Sequence, residues 1–295
     1  MKKFIFIPIL LFFFTFQTKA QYHKGYNGGI FNGSSSTGNN YSNRSSSNYS
    51  GRVRGNSGSY SKGNFYLGIG DYQTAIKYFT KALNEPSYDN PTATINDIYY
   101  KRGYTKYQAQ QFDDAIADFN IVIANRPTYV KAYNSKGLAE FYSGNYKAAF
   151  ADVEYAIKLE PYHAESYYFR SILSYHFEDY KIAIAYCDTA LMYNPKYTQA
   201  LKRRANAKYI TLDFEGAAAD YTKALKYDWT NARLYFSRGL AYSHLNKSED
   251  AASDFYKAHT LDEHNQEYTD NLAQVSANPN SLNKITRHVF SNYKD

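Results

Sequence analysis

A single cysteine, Cys187, in 295 residues excludes an internal disulfide, so any stable core must be held by packing alone. Catalytic patterns are missing too. There is no nucleophile elbow, no Cys–His constellation and no His-Glu-x-x-His. Gly68-Ile-Gly70 lacks the third glycine and the preceding strand that a dinucleotide loop needs. His259, Glu263 and His264 lie together, but two-thirds of a ligand set with no further ligand fixed by spacing reads as a solvated helix end. The sequence therefore points to no enzyme, no metal and no cofactor. Acidic residues are absent before Asp71. Beyond the first sixteen residues no apolar run approaches the ~20 needed to cross a bilayer.

The first residues that are present describe an address. Lys2 and Lys3 precede an apolar run, Phe4–Phe16, and Thr18-Lys19-Ala20 is a small-residue cleavage site, the order of a cleaved signal peptide. Residues 1–20 are thus expected to be removed, leaving a secreted or periplasmic chain that starts at Gln21. From there to residue 58 the composition turns to Ser, Gly, Asn and Tyr. Such a stretch buries too little apolar surface to offset its ordering entropy and is expected to be a disordered tether. The formal charge of +7 belongs to these segments: Lys2, Lys3 and Lys19 in the leader, then Lys24, Arg44, Arg52, Arg54 and Lys62. The chain after Lys62 is nearly neutral. A nucleic-acid reader carries its positive charge on the folded domain, so nucleic acid is not an expected partner. The tether's charge suits only weak contact with an anionic envelope surface.

A fixed step then dominates. Ala115, Ala149, Ala183, Ala217 and Ala251 are each 34 residues apart, and Ala75 begins the series six residues early. Phe79, Phe119, Val153, Cys187, Tyr221 and Phe255 follow four residues later, and Ala82, Val122, Ala156, Ala190, Ala224 and Ala258 three further on. Spacings of three and four share one helical face. The alanines predict close crossing of a second helix, on which Tyr99, Tyr133, Tyr167, Leu201 and Tyr235 mark the packing stripe. Gly63, Gly103, Gly137 and Gly239 mark its close-approach point. Asp71, Asn145, Asp179 and Asp213 stand where helix caps are needed. Gly70 and Gly144 suit a left-handed helix end. Pro127, Pro161 and Pro195 are read as stopping one helix and starting the next.

This register resembles the tetratricopeptide repeat (TPR), with its W-x₂-L-G-x₂-Y…A-x₃-F…P signature. The stretch VKAYNSKGLAEFYSGNYKAAFADVEYAIKLEP, Val130–Pro161, is similar to the family consensus. The resemblance implies an all-α fold, a right-handed superhelical solenoid of antiparallel helix pairs. Six repeats over 59–264 give about twelve helices. A capping helix over about 266–276 and a second short helix over 282–293 fall in a C-terminal segment, 265–295. The departures lie at the ends, in a Gly- and Ser-rich first helix and in Trp229, Ser248 and Glu263, as terminal repeats require.

In stacked helix pairs the leading helices line a concave groove. Tyr100, Tyr104, Phe141, Tyr168, Tyr175, Lys202, Asn206, Tyr209 and Phe236 fall on that face, one position beyond the Tyr99 stripe, and form the candidate partner-binding set. A row of tyrosines with few polar groups suits an extended peptide, because Tyr offers large contact area with little entropy to lose. The same rings also suit packing of helix on helix, and both readings stand at this point. Some TPR domains grip a terminal carboxylate with Lys and Asn from successive leading helices. Lys202 and Asn206 resemble the first such pair, but Ser237 replaces the next Asn, so that specificity is not expected. The functional reading is an exported scaffold for an unidentified protein or peptide. The alternative is an envelope or carbohydrate-binding module that stacks sugars on the same aromatics.

Overall fold

Alanine at every crossing point lets the helices pair. The computed structural model describes residues 57–84 and 91–276, and these contain thirteen α-helices. The leader, the tether before Ser57 and the short helix expected over 282–293 lie outside the described residues. Six hairpins follow one another: α1 (Ser57–Gly68) with α2 (Tyr72–Asn84), α3 (Pro91–Gln108) with α4 (Phe112–Asn125), and α5 (Val130–Tyr142) with α6 (Tyr146–Leu159). Then come α7 (Ala164–His176) with α8 (Tyr180–Tyr193), α9 (Thr198–Ile210) with α10 (Phe214–Leu225), and α11 (Ala232–His244) with α12 (Ser248–Leu261). Helix α13 (Gln266–Ser276) closes the array. The extra residues of the first step are taken up partly in α3, which is 18 residues long and carries Pro91 at its first position.

All six periodic alanines are fully buried, and the residues four and seven positions after them are buried too. The close approach is real at Gly239, where an added Cβ would stand 2.7 Å from the Phe255 ring. The leading helices differ from the expected stripe. Tyr99, Tyr133, Tyr167 and Tyr235 are partly exposed, whereas Ile98, Ala132, Ser166, Ala200 and Leu234, one position earlier, are buried. Each leading helix after the first is packed between two trailing helices, so its most buried line faces both. The tyrosines sit at the margin, where Tyr133 and Tyr167 donate to the carbonyls of Pro127 and Pro161.

Both kinds of turn repeat. Within every hairpin the residue two positions before the second helix adopts a left-handed conformation: Gly70, Gln110, Gly144, Glu178, Leu212 and Asn246. Two hydrogen bonds close each turn, as from Asn145 N–H to Glu140 C=O and from Gly144 N–H to Phe141 C=O, the pairing that satisfies the last carbonyls of a helix. Side-chain capping is sparser than expected. Asp71 and Asp213 accept from Thr74 and Gly216 amides at 3.1 and 2.9 Å, but Asn145 and Asp179 make no such bond. Between hairpins, the amides of Tyr129, His163, Tyr197 and Asn231 bond the carbonyls three residues back. Pro127, Pro161 and Pro195 therefore hold the second position of a β-turn, which favours proline. They end one helix, but the next begins three residues later.

A basic ladder cross-ties the array. Arg102, Lys136, Arg170, Arg204 and Arg238 recur every 34 residues on the leading helices. Arg204 forks onto Asp220 of its own hairpin at 2.7 Å and reaches back to Asp188 of the hairpin before at 2.6 Å. Arg238 does the same with Asp254 and Thr222, and Arg102 with Asp118 and Thr80. Each arginine thereby joins three helices through charge-assisted bonds. In the fourth repeat Tyr186 replaces the aspartate, and Arg170 stacks on it at 4.8 Å while pairing only backwards, with Glu154 at 2.6 Å.

Candidate functional site

Consecutive leading helices also touch one another: α3 meets α5, α5 meets α7, and α7 meets α9, with no comparable contact between consecutive trailing helices. The leading side is therefore the inner side of the curve. The residues expected there divide into two groups. Phe141, Tyr168 and Phe236 are buried. Phe141 packs edge-on against His176 at 4.8 Å, Tyr168 against Tyr197 at 5.1 Å, and Phe236 against Phe255 at 5.5 Å and Tyr268 at 4.8 Å. These three rings glue neighbouring hairpins together. Tyr100, Tyr104, Tyr175, Lys202, Asn206 and Tyr209 remain partly exposed.

The exposed group is held in place by its neighbours. Tyr104 accepts a hydrogen bond from Gln108 at 2.7 Å, and burial raises its hydroxyl to about 12. Arg203 lies 4.6 Å over the Tyr175 ring, whose edge meets Tyr180. The Tyr209 hydroxyl is 3.0 Å from His244 Nε2. Lys202 pairs with Asp228 at 3.5 Å, and Asn206 accepts from the Tyr221 hydroxyl at 2.6 Å. Both members of the carboxylate-gripping pair are thus already engaged inside the array. Cys187 is buried, and desolvation raises its thiol to about 11, so it is a packing residue. Among the described residues no cluster of His, Cys, Asp or Glu has the arrangement of a metal site, and His259 instead faces Thr269 at 3.3 Å.

The inner side also carries residues outside the predicted set. Glu165, in the first turn of α7, is raised to about 7 by burial. Its charge is felt by Tyr100 and Tyr104 on α3, by Tyr129 just before α5 and by Tyr197 just before α9. In the sequence, Tyr129 and Tyr197 stand two residues after Pro127 and Pro195. Their two-repeat spacing was the available signal.

TPR models match residues 58–85, 100–164, 135–200 and 220–252, together more than half of the chain. The chain belongs to the tetratricopeptide repeat family. Among solved structures this TPR chain is similar to one in the crystal structure of the APC/C hetero-tetramer Cut9–Hcn1. The TM-score is 0.64 at 15% identity, with 75% of this chain and 43% of that one aligned. This TPR chain therefore spans less than half of that relative's length. It also aligns with a MamA protein, at 24% identity over 59% of this chain and 94% of that one, TM-score 0.48. A third match is YrrB, described as a TPR protein with an unusual peptide-binding site, at 18% identity over 65% and 95%, TM-score 0.47. Identities this low speak to the fold alone. No curated protein sequence matches the chain. A TPR array is a scaffold, built to hold proteins or peptides.

Proposed function

We propose that this chain is an exported scaffold that holds an extended peptide segment of another protein along its leading-helix side. One observation supports the reading above others: Tyr104, Tyr175 and Tyr209, from three hairpins, keep part of their rings open on the inner side while their neighbours fix their orientation. Pre-oriented tyrosines lose little freedom when a ligand covers them. The test is capture of envelope-fraction proteins on the full chain, compared with Tyr175→Ala/Tyr209→Ala. The double variant should keep its helical circular dichroism and lose several-fold or more of the specific binding, since aromatic anchors are typically worth ~2 kcal/mol each. Undiminished capture by a folded double variant would place the partner elsewhere.

Export rests on the leader alone, Lys2-Lys3 followed by Phe4–Phe16 and Thr18-Lys19-Ala20. Among the described residues no helix is long and apolar enough to cross a membrane. N-terminal sequencing of the native protein should give Gln21 as its first residue, and recovery of Met1 would refute the assignment.

A further inference from the structure

Glu165 differs from the buried aspartates of the array. Asp118, Asp220 and Asp254 each hold an arginine fork. Among the described residues Glu165 is in no ion pair with lysine or arginine. Its nearest cationic candidate, His163, stands 3.8 Å away, and desolvation lowers that imidazole towards its neutral form. Lys131, exposed on α5, acts on Glu165 only through its field. The Glu165 side chain nevertheless keeps about a fifth of its surface open.

Contacts of its neighbours bring tyrosines of separate repeats to this end of α7. Ser166, next to Glu165, accepts from Asn134 at 2.8 Å, and Ser135 beside Asn134 meets the Tyr100 hydroxyl. Tyr168, one turn on from Glu165, packs on Tyr197. Tyr100 and Tyr129 meet edge to face at 5.5 Å, and Tyr100 is further fixed by its hydroxyl, 3.2 Å from Ser135 Oγ. Tyr197 stands edge to face on Tyr168. All three are partly exposed. The surroundings already draw in one cation: Arg126 lies 4.7 Å over the Tyr129 ring while pairing with Asp97 at 3.4 Å. Aromatic faces attract cations, and a desolvated carboxylate gains most from a partner that brings charge and N–H donors together. An acidic ligand would find a second acid there, and a neutral one would leave the carboxyl uncompensated.

We propose that Glu165, with Tyr100, Tyr129 and Tyr197, forms a subsite for a lysine or arginine side chain of the peptide held on the leading-helix side. The assignment rests on the scaffold reading above and adds the partner's chemistry to it: a basic segment. It makes Glu165 the determinant of charge preference, and the more distant Tyr175 and Tyr209 general contacts.

The test uses the full chain and three pools of nine-residue peptides, random except for a central lysine, norleucine or glutamate, with binding read by fluorescence anisotropy. The lysine pool should bind about fivefold or more tightly than the norleucine pool, and the glutamate pool weakest. Glu165→Gln, nearly isosteric, should erase the difference between the lysine and norleucine pools. Equal binding of the lysine and norleucine pools, or a lysine preference that survives in Glu165→Gln, overturns the subsite. If that happens while Tyr175→Ala/Tyr209→Ala still weakens every pool, the scaffold reading stands and only the subsite falls. If no pool binds, or the double variant weakens none, both fall. A full-length variant with Lys24, Arg44, Arg52 and Arg54 changed to Ala that gains affinity for the lysine pool would show that this chain's own N-terminal segment holds the subsite, overturning its assignment to a separate partner.

Discussion

One residue of the third repeat reverses a local charge pattern. Where the second and fifth repeats place Lys106 and Lys208 beside a buried aspartate, the third has Glu140, so two carboxyls share Lys136, at 3.5 Å from Glu140 and 3.0 Å from Asp152. Burial, then the charge of Asp152, pushes Glu140 well above the ordinary carboxylate range. A raised pKa means that the folded state binds the extra proton. Its contribution is complete below the unfolded value near 4.5 and is lost as pH rises through the folded one. Glu140→Gln should therefore melt at a higher temperature than the parent at pH 8 and at nearly the same temperature at pH 5, with ~2–4 °C expected per kcal/mol. A pH-independent difference would mean the pair carries no shared proton. The crossing alanines have the opposite character, since their role was readable from spacing alone. Ala183→Leu should destabilise by ~1–3 kcal/mol in thermal melts, because a fully buried crossing point has no room for three more carbons. Glu140 was not readable in this way, because a lone acid on a helix looks solvated until its neighbours are placed.

At the scale of the helix, the sequence supplied register and the structure supplied the ties between units. Helix α13 was expected from Leu272 and Val275, yet its buried anchor is Tyr268, packed at a tilt against Phe236. A tyrosine in a polar stretch carries no periodic signal, which is why it escaped notice. Tyr268→Ala should cost ~3 kcal/mol and accelerate hydrogen exchange in α13 and α11 before it affects α5. Exchange that rises evenly along the chain would contradict a local cap. The basic ladder escaped for a related reason. Its 34-residue step is as regular as that of the alanines, but charges on helices are read as exposed unless their partners are known. Here the partners stand sixteen positions away in either direction. The interior turns were better predicted, although only Gly70 and Gly144 showed their left-handed backbone in the sequence. Gln110, Glu178, Leu212 and Asn246 adopt it because the surrounding hairpin imposes it.

For the whole molecule, fold and repeat count were legible because every repeat reports them again, and six repetitions average out local exceptions. The inner side was only partly legible because it does not repeat. Its equivalent positions read Tyr100, Asn134, Tyr168, Lys202 and Phe236, and each can be decided only by whether a neighbouring hairpin covers it. The fourth repeat shows what such an exception does at large scale. Its trailing helix α8 has no aspartate for Arg170, while Asp188 on the same helix is held by Arg204 of the next hairpin. By ion pairing α8 is bound forwards, while Arg170 holds it to α7 through the Tyr186 ring instead. A chain drawn out from its two ends would then part first between α6 and α7, where consecutive helices touch least. The Asp188–Arg204 tie keeps the fourth hairpin on the fifth, so the pieces that separate under load are the first three hairpins and the last three with their cap.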